Sequence, residues 1–228
     1  MTLLTSVVDP VTTIHQQFYG NASISPIALE LVHLESLTMK SVTDLVATSP
    51  GEKLGVAASY GEKRVLETLA FSSESRVLLI VMDETSKSAK PQKKILKDQL
   101  LCNASLEKHG FFMERLAAAL HLDLGLHIQR AFDLASHGNT RGSMAAYKSV
   151  LELARPGDSL NNSAVEFIFA EQPFIQSRRA EFALRAWACY VAVQESPDEP
   201  GVIDTSAVGA KARSTRHSRT VLPDRLDR

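Results

Sequence analysis

Between residues 53 and 82 the chain alternates short apolar runs with breakers, as a strand meander does. Lys53-Leu54-Gly55-Val56-Ala57-Ala58-Ser59-Tyr60 and Val65-Leu66-Glu67-Thr68-Leu69-Ala70-Phe71 flank Gly61-Glu62-Lys63-Arg64, which predicts a hairpin. The next run, Arg76-Val77-Leu78-Leu79-Ile80-Val81-Met82, holds six consecutive apolar residues, the pattern of a strand covered on both faces. Ahead of these, Ser41 to Thr48 reads as a short helix ended by Pro50-Gly51. Beyond residue 90 the apolar period becomes helical. Pro91 opens a helix through Ile95, Leu96 and Leu100, since proline suits a first turn. Phe112, Leu116, Ala119 and Leu120 mark a second helix, stopping near Gly125, and Met144, Tyr147, Val150 and Leu151 a third. From Ser177 to Val193 a fourth carries Phe182, Ala186, Cys189, Tyr190 and Val193 on one stripe. One inserted strand is expected near Leu126-His127-Ile128. Strands followed by helices predict an α/β sandwich around a mixed sheet.

Past Gln194 the apolar period stops at the breaker cluster Glu195-Ser196-Pro197-Asp198-Glu199-Pro200-Gly201. Residues 196–228 therefore read as a disordered basic tail, in which Lys211, Arg213, Arg216 and Arg219 have no acid between them. Residues 1–27 form an N-terminal extension, expected to pack loosely on the sheet, and residues 28–195 form the folded domain. The 228 residues, 44% apolar and 22% charged with a net charge of -1, suit one soluble domain with a tail. That charge excludes a basic coat over the whole surface but permits a local basic face. No apolar run approaches the ~20 residues of a membrane span, and the start lacks a basic signal-peptide region. The expectation is an intracellular protein, nuclear or cytoplasmic, with no membrane partner.

The common chemical signatures are absent. Cys102 and Cys189 are too few for a disulfide framework or a four-cysteine zinc site. The seven histidines show no pairing at metal-ligand spacing, and neither a Gly-x-Ser-x-Gly elbow nor a glycine-rich phosphate loop occurs.

The order of segments nevertheless resembles the 3'-5' exonuclease domain of the ribonuclease D and Werner-exonuclease type, a member of the DEDD superfamily. Gly55-Val56-Ala57-Ala58-Ser59-Tyr60 stands where that family has Gly-Phe-Asp-x-Glu-Trp, and Leu69 to Ile80 is similar to its next strand pair. Lys94-Ile95-Leu96-Lys97-Asp98 looks like its following helix. Leu106-Glu107-Lys108-His109 is similar to its second acidic motif, and Leu124-Gly125-Leu126 with Phe132-Asp133-Leu134 to the strand after it. Phe169-Ala170-Glu171-Gln172-Pro173-Phe174 and Phe182-Ala183-Leu184-Arg185-Ala186-Trp187-Ala188 resemble its closing segments. The resemblance covers roughly residues 28–195, rests on segment order, and implies an RNase H-like three-layer domain with a central mixed β-sheet flanked by helices.

The resemblance also implies what chemistry to expect. The family hydrolyses phosphodiesters with two magnesium or manganese ions held by four carboxylates, because hard cations want charged oxygen ligands. Here the matching positions carry Ala57, Ser59, His109 and Ala186, with Phe182 at the position of an orienting tyrosine. Alanine supplies no ligand, serine a weak one, and imidazole suits softer metals. The expectation is that these positions share one groove, that no catalytic residue and no metal cofactor remain, and that the chain is a degenerate exonuclease-like scaffold. The alternative is an active exonuclease whose acids have moved, drawn from Asp83, Glu84, Glu107, Asp123, Asp133 and Glu181.

Two basic rows could meet backbone phosphates. Lys90, Lys93, Lys94 and Lys97 share a helix side at spacings of three and four, and Arg178, Arg179 and Arg185 border the last helix. Tyr60 and Phe182 could stack on bases, although both lie on stretches expected to be buried. RNA or DNA, or a protein partner, is the expected ligand; no oligomeric state follows from these residues.

Overall fold

The computed structural model describes residues 12–14, 18–19, 26–61, 63–82, 89–137, 143–154, 157–170, 175–194 and 202–203. Strand β1 (Thr12–Ile14) pairs antiparallel with β2 (Ile27–His33), so the N-terminal extension contributes to the sheet. Phe18, from the same extension, is fully buried. Helix α1 (Met39–Val46) begins where Thr38 accepts a hydrogen bond from the Ser41 N–H at 3.1 Å, an N-cap that answers one of the helix's unpaired donors. The meander follows as expected: β3 (Lys53–Tyr60), β4 (Leu66–Ser72) and β5 (Arg76–Val81) pair antiparallel in sequence. The apolar run in β5 is covered on both faces, with Val77 to Ile80 wholly buried.

Helix α2 (Lys90–Ile95) runs on into a wider π-helical turn, Leu96–Leu101, and leads to β6 (Glu107–Gly110), parallel to β3. Helix α3 (Met113–Ala119) ends in a second such turn, Leu120–Leu124. The strand expected at residues 126–128 lies instead at β7 (Ala131–Asp133), parallel to β6. Leu126 and Ile128 are buried without being a strand. Gly125 ends the helical stretch at φ 68, and the chain crosses back to the Leu101 carbonyl through Gln129 before it can join the sheet. Helices α4 (Ser143–Ala154), α5 (Asn162–Phe169) and α6 (Arg179–Gln194) complete the domain. The α5 helix is capped by Asn161, which accepts the Ala164 N–H at 3.1 Å. Finally β8 (Val202–Ile203), within the stretch read as a tail, pairs antiparallel with β7. An apolar β-branched pair meets an open sheet edge there. The basic run beyond it lies outside the described residues.

The sheet order is β1-β2-β5-β4-β3-β6-β7-β8. Its inner five strands, β5-β4-β3-β6-β7, have only β4 reversed, with β3, β6 and β7 parallel: this is the RNase H-like topology. Side chains of α1, α2 and α3 share one core cluster with one sheet face, and those of α4, α5 and α6 share a second cluster with the other. The three-layer α/β architecture expected from the sequence is the one observed.

One buried charge gives the fold a pH signature. Lys108 on β6 is fully buried, its Nζ donating to the Asn103 carbonyl at 2.7 Å, and burial pushes its amine down to about 8. A folded value below the unfolded value means the native state releases its proton first. Stability should therefore rise as pH climbs from about 8 toward 10.5, and the full cost of burial is felt below pH 8. The buried Cys189 thiol, pushed up to about 12, acts in the opposite sense above pH 9. Lys108→Met is expected to be more stable than the parent at pH 7 and to lose the rise between pH 8 and 9. Denaturant midpoints at pH 7, 8 and 9 check this.

Candidate functional site

β6 pairs with β3 only as far as Gly110 and Val56, so residues 57–60 continue past their neighbour. The chain then swings away through Phe111 and Phe112 into α3, and a cleft of about 240 Å³ opens at the carboxyl ends of β3 and β6. Ligands of open α/β sheets bind at such strand ends. β3 contributes Ala57, Ser59 and Tyr60; the turn and α3 contribute Phe111, Phe112, Met113, Arg115 and Leu116. The opposite wall comes from Tyr147 of α4, Phe169 of α5, and Arg185 and Cys189 of α6.

The turn at the mouth is held by Asp133. Its Oδ1 accepts the Phe112 N–H at 3.1 Å and the Ala135 N–H at 2.8 Å, while Oδ2 accepts the Met113 N–H at 3.0 Å. These bonds fix Phe112 at φ 58 and ψ 45, a left-handed conformation that costs a bulky L-residue about 1–2 kcal/mol. The aromatic wall is close-packed: Tyr147 stacks on Phe169 with ring centroids 4.2 Å apart, and Phe111 meets Tyr147 edge-on at 4.5 Å.

Charge in the cleft is positive. The Arg115 guanidinium lies over the Tyr60 ring at 4.1 Å. Burial pushes the Tyr60 hydroxyl up to about 12, only partly offset by Arg115, so it remains a neutral donor. Arg185 reaches across the end of α5, its Nε donating to the Ile168 carbonyl at 2.5 Å and its Nη2 to the Ala170 carbonyl at 2.7 Å, where a cation complements the helix dipole. Cys189 stays a thiol, its ionisation opposed by burial. The Ser59 hydroxyl is buried and has no hydrogen-bond partner among the described residues.

Among the described residues, no carboxylate lines this cleft. Its potential side-chain ligands are one serine hydroxyl, two tyrosine hydroxyls, one thioether and one buried neutral thiol, beside two guanidinium groups. That set does not suit magnesium or manganese, which need charged oxygens, and the arginines would repel a divalent cation.

Of the four positions expected to share a groove, Ala57 and Ser59 line the cleft and His109 and Ala186 do not. His109 is buried in the sheet between its register partners Gly55 and Phe132, stacked on the Phe132 ring at 4.8 Å and bonded to Glu107 at 3.2 Å. Ala186 presses its backbone against Gly55 of β3. The α6 residues that reach the cleft are Arg185 and Cys189, four apart like Phe182 and Ala186 but three positions further along.

The alternative acids are engaged elsewhere. Glu107 pairs with Arg130, Asp123 accepts the Leu66 N–H at 2.8 Å, and Glu181 faces Arg178 at 3.9 Å. Asp133 is committed to backbone donors, and Asp83 and Glu84 lie outside the described residues. Among the described residues no group of three potential metal ligands converges.

Of the basic rows, only Arg185 lines the cleft. Lys90, Lys93, Lys94 and Lys97 lie on α2 and its continuation, with Lys90, Lys94 and Lys97 exposed. Arg178 covers the Phe167 ring at 4.6 Å, and Arg179 is half-buried at the start of α6. Arg115, Phe111, Phe112, Tyr147 and Cys189 are cleft residues that sequence reasoning did not assign to a site. No helix among the described residues is long and apolar enough to cross a membrane.

No protein-family model matches the chain, and no curated protein matches it in sequence. The chain is similar to several solved structures. Brucella melitensis NrnC bound to pGG is 14% identical, with 83% of this chain and 86% of that one covered and a TM-score of 0.46. Trypanosoma brucei RNase D is 15% identical, covering 86% of this chain and 75% of that one at a TM-score of 0.46. The EXO domain of Aedes aegypti Nibbler is 12% identical, covering 73% of this chain and 86% of that one at a TM-score of 0.49.

Proposed function

We propose that this exonuclease-like domain binds the end of an unpaired polynucleotide in the cleft and does not cut it. The observation that carries the reading is the lining itself: two arginines and five aromatic rings, with no carboxylate among the described residues. Guanidinium groups attract phosphate, and aromatic faces take bases of any sequence. Cleavage by this fold would need metal-bearing acids, and none lines the cleft among the described residues. No divalent cofactor is required on this reading, and the protein acts where polynucleotides are found, in nucleus or cytoplasm.

Fluorescence anisotropy with a labelled single-stranded RNA and its DNA counterpart tests this. Binding is expected to persist in chelator and to weaken steeply with salt, because phosphate contacts displace counterions. With magnesium or manganese added, the strand should stay full length. Shortening that a chelator abolishes, and that follows the protein through repurification, would establish an active nuclease instead. If neither oligonucleotide binds at any salt, the fold serves a protein partner.

A further inference from the structure

We infer that Phe112 is the platform on which the cleft stacks an unpaired nucleobase, and that Asp133 positions it. The inference rests on the reading of the cleft as a polynucleotide site, and it names the residue that would hold the base.

Neither backbone nor core explains a phenylalanine at residue 112. Its backbone is left-handed, a conformation that glycine or asparagine adopts at little cost and phenylalanine resists. Burial does not compensate in full: Phe112 is 37% exposed, whereas its neighbour Met113 is 1% exposed. The residue is thus both strained and incompletely packed, at the lip of the cleft. Strain of this kind persists only where the surroundings enforce it, and here three backbone N–H groups converge on one carboxylate.

The surroundings fit a base. Tyr147 meets the Phe112 ring in a T-shaped contact, with centroids 6.0 Å apart at 82°, so the two rings are perpendicular and not stacked face to face. Arg115 follows three residues later in the same helix and lines the same cleft, a cation within reach of the phosphate that accompanies a stacked base. An aromatic face and a guanidinium placed together recognise an unpaired nucleotide through shape and charge, with no demand on sequence.

The experiment compares wild type, Phe112→Tyr, Phe112→Gly and Phe112→Asn for binding to a single-stranded oligonucleotide and to the same strand with an abasic terminal residue. Glycine and asparagine tolerate the backbone conformation, so a cooperative melt of either variant keeps the comparison sound. On the intact strand, Phe112→Gly and Phe112→Asn are expected to bind about tenfold more weakly than wild type, and Phe112→Tyr within about twofold of it. On the abasic strand all four should bind alike, an outcome that a purely structural role would not produce. Undiminished binding of the intact strand by a folded Phe112→Gly or Phe112→Asn overturns the platform while leaving the cleft as a binding site. A wild-type protein that binds no oligonucleotide removes the reading of the cleft and the platform together.

Discussion

Replacing Gly55 by alanine is expected to unfold the domain outright, or to cost it more than about 3 kcal/mol. A Cβ at this position would drive into the Ala186 carbonyl oxygen and the Tyr190 nitrogen, and would sit 2.9 Å from the Tyr190 Cβ. The obstacles are α6 main chain, which cannot rotate aside as a side-chain tip can. Relief requires lifting α6 from the sheet, and α6 buries eleven side chains between Phe182 and Val193. Gly125→Ala is the control. It strains a left-handed φ of 68 in open space and should cost only about 1 kcal/mol. Equilibrium denaturation of the two variants measures the difference. Equal, small losses would mean that α6 does not press on β3 as closely as described.

Asp133→Ala is expected to cost roughly 3 kcal/mol, because it strips three backbone donors of a charged acceptor in a site only 7% exposed. The damage should be local in origin and visible at the cleft. Without the carboxylate nothing enforces the left-handed turn, so Phe112 relaxes and α3 loses its N-terminal anchor. Asp133→Asn keeps an acceptor oxygen and should recover about half of the loss. Denaturant midpoints give the stability. Amide exchange at residues 112, 113 and 135 should accelerate selectively in Asp133→Ala; unchanged exchange there would sever the link between the carboxylate and the turn.

The sequence revealed the central meander of the sheet and little of the site, for identifiable physical reasons. The meander β3-β4-β5 was legible because its apolar runs are bounded by breakers and because β5, covered on both faces, has no polar position to confuse its period. β2 was not recognised, although Ile27-Ala28-Leu29-Glu30 alternates in burial as a strand should. α5 was missed too, although Asn161 stands as its cap. Ala57 and Ser59 line the cleft together with Val56, Ala58 and Tyr60 because β3 runs on past the end of β6, and the Gly55-to-Tyr60 run was a guide to that strand. Helix α6 offers no such guide. It is buried almost all round, and a slip of three residues moves nearly one whole turn, so Phe182 with Ala186 and Arg185 with Cys189 are equivalent patterns. His109 could not be placed from its own segment, since its position depends on the register of three strands far apart in the chain.

The indole N–H of Trp187 donates to the Glu74 carbonyl, 113 residues earlier in the chain. Closure of this domain therefore waits on α6. Until α6 has been synthesised, β3 and β4 present an uncovered greasy surface, and the loop that must be closed to shield it is long. The nascent polypeptide is exposed to self-association through that surface until α6 arrives.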